Sequence, residues 1–282
     1  MTEAARADAR AIAPLTLDQL GRIAALVRED AGIHLPAEKL SLVSSRLGKR
    51  VRALKLKDFG AYCDFVGAAE GAEERRSMLH ALTTNVTRFF REDHHFEELK
   101  RDYLPRLIET ARAGGRVRIW SAGCSSGEEP YSIAMTVLGQ APDAARLNIK
   151  ILATDIDPNV LAIGAAGAYS EEALAPAPKE LADRHFSRGD DGLRQAGDEI
   201  RRMISFKSLN LIADWPIKGP FDAIFCRNVI IYFEQSTQDK LIARFADLTR
   251  AGSGLFLGHS ERVSPALSEK FERSGFTSYR RT

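Results

Sequence analysis

The sequence predicts an α/β fold of the Rossmann-like kind, with a small all-helical domain ahead of it and a small β excursion within it. Three observations point there. An alternating basic and apolar run, Arg116 to Trp120, passes straight into the small-residue turn Ser121-Ala122-Gly123-Cys124-Ser125-Ser126-Gly127 and then into a helix. Two further apolar strands, Asn148 to Thr154 and Phe221 to Cys226, end in polar residues, where parallel sheets bind their ligands. The first eighty or so residues instead repeat apolar side chains at helical spacing. The expected domains are 14–82, helical, and 83–282, α/β, with the excursion at about 169–202.

Residues before Pro14 read as a mobile, alanine-rich, charged tail. Thr16 is placed to cap a helix whose stripe is Leu17, Leu20, Ile23, Leu26 and Val27 and which stops near Gly32. Pro36 starts a longer helix with Leu40, Val43, Leu47, Val51 and Leu54 on one side. Between 36 and 57 that segment also carries Lys39, Arg46, Lys49, Arg50, Arg52, Lys55 and Lys57 against the single acid Glu38. Such a face is either solvated surface or a docking surface for an acidic partner, and nucleic acid is the rival partner. The chain has no zinc spacing or aromatic stacking motif, and 40 basic against 38 acidic residues leave it near neutral, so nucleic acid is not expected. Asp58 can cap a third helix through Phe59, Tyr62, Phe65 and Val66, and Glu73 to Leu82 offers a fourth.

The segment Thr83-Thr84-Asn85-Val86-Thr87-Arg88-Phe89-Phe90-Arg91 links the two domains and reads as laid against something buried. An amphipathic helix through Phe96, Leu99, Leu104 and Leu107 follows. His94 and His95, being adjacent, should point to different sides of it, so no metal pair is expected. After the glycine turn, Pro130 suits a first helical position with Glu129 as the cap. Asp155, closing the second strand, stands where an acid accepts hydrogen bonds from ribose hydroxyls, and Asp157 before Pro158 reads as a helix cap. Small strands are expected around Arg188-Gly189-Asp190-Asp191-Gly192, and the sheet resumes over Ile204 to Leu211. Asn210, Arg227 and Asn228 follow strand ends and are the next candidate ligand contacts. Ser236 can cap the last helix, Gly252 and Gly254 stop it, and Leu255 to Leu257 with a hairpin from Phe271 to Tyr279 completes the sheet.

Three scattered cysteines, Cys63, Cys124 and Cys226, form neither a disulfide framework nor a zinc site and fit a reducing cytoplasm. No apolar stretch is long enough to insert into a membrane. The ligand is set by the turn. Glu128 and Glu129 at the helix mouth would repel a dinucleotide's pyrophosphate and suit a cation such as S-adenosylmethionine, although acids also favour a helix N-terminus on their own.

Taken together, TTNVTRFFRE, SAGCSSGEEPYS, ATDID, FDAIFCRNVIIYF and GHSE closely resemble the chemotaxis receptor methyltransferases of the CheR family over nearly the whole chain. The resemblance implies a monomeric cytoplasmic enzyme that methylates glutamate side chains on methyl-accepting chemotaxis receptors, using S-adenosylmethionine and leaving S-adenosylhomocysteine. It implies cofactor contacts at Asn85, Thr87, Arg91, Glu129, Asp155, Asn210, Leu211, Arg227 and Asn228, with Arg91, Arg227 and Tyr232 nearest the transferred methyl. A glutamate acceptor is ionised at neutral pH, so such a site needs no general base. Members that tether themselves to a receptor's C-terminal pentapeptide use the β excursion as an extra strand platform. Here its turn is shorter by roughly three residues, which argues against a tether and shifts receptor recognition to the basic helix 36–57. Methylation of nucleic acid, and cofactor sensing without turnover, are the rival functions.

Overall fold

A computed structural model describes residues 12–83, 85–189 and 192–282. The expected tail up to residue 11, Thr84 of the linking segment and the Asp190-Asp191 pair of the excursion's turn lie outside the described residues. The chain divides into two compact units, Met1–Thr84 and Asn85–Thr282. Among the described residues no helix is long and apolar enough to cross a membrane.

In the first unit, α1 (Leu17–Ala31) opens on a reciprocal cap: Thr16 Oγ1 accepts from the Gln19 N–H, while the Gln19 side chain accepts from the Thr16 N–H. It closes at Gly32, whose φ of 69° only glycine adopts without strain. Leu20, Ile23 and Val27 are buried, whereas Leu17, at the first helical position, is 64% exposed and does not join the stripe. Pro36 leads first into a 3₁₀ turn, Ala37–Lys39, and then into α2 (Leu40–Ala53). Two of the seven expected surface cations turn inward. Arg46 donates to the carbonyls of Leu82 and Thr83, both at 2.8 Å, and Arg50 forks onto the buried Glu74, which also accepts from the Tyr62 hydroxyl. Lys39, Lys49, Arg52, Lys55 and Lys57 stay exposed. Next come α3 (Phe59–Gly67), capped by Asp58, and α4 (Ala72–Leu82).

The second unit begins with α5 (His94–Glu98), a π turn over Leu99–Tyr103 and α6 (Leu104–Arg112). The single helix expected there is interrupted because Pro105 cannot supply an N–H to a regular ladder, and the wider turn absorbs the missing bond. Then follow β1 (Val117–Ala122), α7 (Glu128–Gln140), β2 (Ile149–Asp155), α8 (Pro158–Ala166), β3 (Ala168–Tyr169), α9 (Glu171–Leu174), α10 (Lys179–His185), β4 (Phe186–Arg188), β5 (Arg194–Ala196), α11 (Asp198–Arg201) and β6 (Ile204–Ser208). The chain ends with β7 (Phe221–Cys226), α12 (Gln235–Asp247), β8 (Thr249–Leu257), β9 (Phe271–Arg273) and β10 (Ser278–Arg281).

The main sheet runs β6-β2-β1-β7-β8-β10-β9. Strands β6, β2, β1, β7 and β8 are parallel, and β10 and β9 add an antiparallel edge. From β1 the chain winds outward to β2 and β6, then returns to β1's other side as β7. This reversal opens a crevice beyond the carboxyl end of β1, the place where such sheets hold ligands. Every residue of β7 is buried, as its unbroken apolar run requires. The excursion forms its own sheet, β3-β5-β4. Arg194, 7% exposed, pins it by donating to the Phe186 carbonyl at 2.7 Å and pairing with Glu171 and Asp183.

Three local expectations change. Gly252 and Gly254 do not end the last helix but lie inside β8, where the register with β7 jumps between Phe221 and Ala223; Gly252, at φ 82°, supplies the irregular backbone this needs. The cap position of α12 is Glu234, so Ser236 falls within the first turn. Strand β6 stops at Ser208, leaving Asn210 and Leu211 in the following turn.

Candidate active site

The glycine turn after β1 is held by its neighbours. The N–H groups of Gly123 and Cys124 donate to the Thr154 carbonyl at 2.8 and 2.9 Å, and that of Ser125 donates to Asp155 Oδ2 at 2.9 Å. Gly127, not Glu129, is the cap of α7. Its φ is 99°, and a Cβ there would lie 2.8 Å from the Gly164 Cα, so only glycine fits. Pro130 is therefore the third helical residue, the last whose N–H has no intrahelical partner, and the helix continues through it.

The two carboxylates of the mouth separate. Glu128 folds back to accept from the Ser126 hydroxyl at 2.8 and 3.0 Å and is buried. Glu129 accepts from Ser121 Oγ at 2.6 Å, keeps 14% of its side chain exposed, and lies 3.6 Å from Arg227. Burial pushes its carboxyl up, and the Arg227 guanidinium pulls it back.

Arg227, at the end of β7, is the hub. Its side chain is 2% exposed, stands 3.7 Å from Glu92 as well as 3.6 Å from Glu129, and donates to the carbonyl of Arg91. Arg91 sits between two residues in the left-handed region, Phe90 at φ 50° and Glu92 at φ 55°. Bulky side chains seldom adopt that conformation, and here two of them flank one arginine. The Arg91 side chain is partly exposed and donates to the Val86 carbonyl at 3.0 Å.

Asp155 and Asn85 form a second group. Besides Ser125, Asp155 accepts from the Asp157 N–H at 3.0 Å, which uses two of about four lone-pair sites and leaves the others for a ligand. Burial pushes its carboxyl up, with backbone N–H groups, those of Asp157 and Ser125 foremost, opposing. Asn85 donates to Asp157 at 3.2 Å, and its carbonyl accepts from the Ser125 hydroxyl, tying the linking segment to the turn. Asp157 caps α8 through the Asn159 N–H, as its place before Pro158 implied. Thr87 is partly exposed on the same segment. Asn210 and Leu211 lie in the turn after the edge strand β6, where the Leu209 N–H donates to the Asp155 carbonyl at 2.9 Å; Asn210 Oδ1 accepts from the Ile212 N–H, and the Leu211 carbonyl accepts from Arg244. Asn228, at φ 60°, donates to Glu92 at 3.4 Å, and Tyr232 ends a 3₁₀ turn, Ile230–Tyr232, partly exposed rather than in the core.

The histidines depart from expectation. Although the two are adjacent in sequence, their rings at the start of α5 lie only 4.1 Å apart between centroids. His95 is fully buried. Its Nε2 bonds the Phe276 carbonyl at 3.1 Å, and burial, then Arg227, lowers its pKa to about 3, so the ring is neutral.

Sequence reasoning passed over Glu92, Ser121, Ser125 and Glu261. Glu92 adjoins Arg91 in the FFRE motif and could have been read from it, while Glu261, closing GHSE, holds chiefly the N–H groups of Asn228, Val229 and Ile231, which are distant in sequence.

Residues 85–280 match the family model described as CheR methyltransferase, SAM binding domain, and residues 18–83 match the CheR methyltransferase all-alpha domain. The chain belongs to the CheR methyltransferase family. It is 52% identical to a probable chemotaxis protein methyltransferase of Rhizobium etli, over 91% of this chain and 97% of the relative. Against the chemotaxis protein methyltransferase of Escherichia coli the identity is 42%, over 92% and 88%, and against chemotaxis protein methyltransferase 2 of Pseudomonas aeruginosa it is 43%, over 82% and 81%.

Membership of the CheR family makes the chain a methyltransferase whose cofactor is S-adenosylmethionine. The donor set suits that molecule. Glu92, Glu129 and the buried Glu261 cluster about the buried guanidinium of Arg227, with Arg91 the further cation beside it; three carboxylates against two guanidiniums suit a cationic ligand, and Asp155 has acceptor capacity to spare.

Proposed function

We propose that the chain esterifies glutamate side chains on the cytoplasmic helices of methyl-accepting chemotaxis receptors, working in the cytoplasm as a monomer. The observation that carries this reading is the continuous connection Arg91–Arg227–Glu129. The same buried guanidinium that holds Glu129 also bonds the backbone of Arg91, so a carboxylate suited to a cofactor's ammonium is in fixed register with a partly exposed cation suited to an anionic acceptor.

When bound, S-adenosylmethionine supplies a methyl on a cationic sulfur. Glu129 receives its ammonium, Asp155 its ribose hydroxyls, and Asn85, Thr87, Asn210, Leu211 and Asn228 line the remainder. Arg91 and Tyr232 hold the acceptor carboxylate in line with the methyl. Arg227 lies near the reacting atoms but acts mainly by fixing Glu129, Glu92 and Arg91. Because the acceptor, with a reference pKa of about 4.3, is already ionised, no residue has to remove a proton. An arginine on the acceptor stabilises the ground state as much as the transition state, so Arg91 contributes alignment, a factor worth up to about 7–11 kcal/mol in well-oriented systems.

The helical unit, residues 14–82, serves receptor docking in this reading, through Lys39, Lys49, Arg52, Lys55 and Lys57. Charge reversal at Lys49, Arg52 and Lys55 should raise KM for receptor fragments without changing cofactor affinity; an unchanged KM removes the docking role. The short turn of the excursion argues against a pentapeptide tether. Methyl-labelled cofactor offered with receptor fragments, with and without their C-terminal tails, and separately with RNA and DNA, tests the whole reading. Label in receptor glutamates, independent of the tail, supports it, and label in nucleic acid overturns it.

A further inference from the structure

Beyond β8 the chain reads Gly258-His259-Ser260-Glu261. Glu261 is 2% exposed, and its carboxylate accepts four backbone N–H groups. Oε2 takes those of Asn228, at 2.9 Å, and Gly258; Oε1 takes those of Val229, at 2.8 Å, and Ile231, at 3.2 Å. About four lone-pair sites are thereby filled, leaving none for a reacting proton. The segment so gripped is the one that leaves β7 after Arg227. It carries Asn228 in the left-handed region, at φ 60°, and ends on the 3₁₀ turn of Tyr232. Asparagine tolerates that conformation better than most non-glycine residues, and here the carboxylate's bonds to the N–H groups of Asn228 and Val229 fix it. The approach is close: a Cβ on Gly258 would lie 2.5 Å from Asn228 Nδ2 and 2.8 Å from Glu261 Oε2.

We propose that Glu261 is a positioning residue for methyl transfer, which sets the path of the chain from Asn228 to Tyr232 without itself touching cofactor or acceptor. The proposal rests on the roles given above to Asn228 and Tyr232.

Substitution separates this from simple structural support. In Glu261→Gln one oxygen becomes an NH₂ that faces two N–H donors, so half the grip is lost in a side chain of equal size. Glu261→Asp is shorter but keeps both oxygens as acceptors. Leu138→Ala, at the far end of α7 and also buried, lowers stability elsewhere. With the full chain and receptor fragments, kcat of Glu261→Gln should fall by about 10²-fold, the cost of a displacement near 1 Å, while KM for the cofactor changes by less than about fivefold. Glu261→Asp should retain more activity than Glu261→Gln, and Leu138→Ala should keep wild-type kcat below its own melting temperature. Amide exchange at Asn228, Val229 and Ile231 needs no acceptor and reads the grip even where receptor fragments take no methyl; it should rise in Glu261→Gln. Exchange unchanged in Glu261→Gln, activity greater in Gln than in Asp, or a kcat loss matched by Leu138→Ala would each overturn the assignment.

Discussion

The guanidinium of Arg227 lies 3.6 Å from the carboxylate of Glu129, joining the end of β7 to the mouth of α7 beneath the crevice. Glu92 faces the same guanidinium from the other side at 3.7 Å. Removing the cation strands two largely buried carboxylates, a change that typically costs about 3–5 kcal/mol. Arg227→Met should therefore lower the urea midpoint by that order. The double variant Arg227→Met with Glu129→Gln should lose less than the sum of the two single losses, and strict additivity would show that the pair is not coupled.

Arg91 is the opposite case. Its side chain is partly exposed and bonds only a backbone carbonyl in the structure described, so Arg91→Ala should leave stability within about 0.5 kcal/mol of the parent. Methyl transfer should fall by about 10²-fold or more, because the acceptor loses its alignment. Arg91→Lys should recover little, since an ammonium lacks the rigid planar fork that fixes the orientation of a carboxylate. Steady-state kinetics beside thermal melts decide this, and wild-type rates in Arg91→Ala would remove the residue from the site.

Asp155→Ala should weaken S-adenosylmethionine binding by about 1–3 kcal/mol, measured by calorimetry, as a buried acceptor is lost. Affinity equal to wild type would refute its ribose role. Ser125 and Asp157 lose a partner in the same variant, so the turn itself should show faster amide exchange.

Much of this site was legible in the sequence because its parts are local. The turn from Ser121 to Gly127, the acid closing β2 and the polar end of β7 each follow from a strand running into a break in periodicity. What the sequence hid depends on long-range partners. Arg46 and Arg50 belong to an evident basic stripe, yet they turn inward because carbonyls of α4's end and the buried Glu74 await them. The cap of α7 fell to Gly127 rather than Glu129 because proline is tolerated through the third helical position, so Pro130 marks a helix start only to within a turn. The left-handed backbone at Phe90 and Glu92 has no composition signal at all, since neither residue favours it.

The buried His95 makes stability depend on pH. Its folded pKa of about 3 lies below the unfolded value near 6.5, so the unfolded chain binds the extra proton first as pH falls. Its contribution is intact above pH ~6.5 and is lost progressively from there down toward pH ~3, at up to about 1.4 kcal/mol per pH unit. Gln at this position can still donate to the Phe276 carbonyl but cannot titrate. Between pH 6 and 5, urea midpoints of His95→Gln should therefore fall less steeply than those of wild type, and parallel slopes would contradict a neutral buried ring.

The central claim is that the acceptor is a carboxylate. Alkyl esters of carboxylic acids release their alcohol in mild base, whereas methyl groups on nitrogen, carbon or nucleobases remain attached. Receptor cytoplasmic fragments labelled by this enzyme from methyl-tritiated S-adenosylmethionine should release their label as volatile methanol on brief treatment with base. Label that stays with the macromolecule after that treatment would contradict the account.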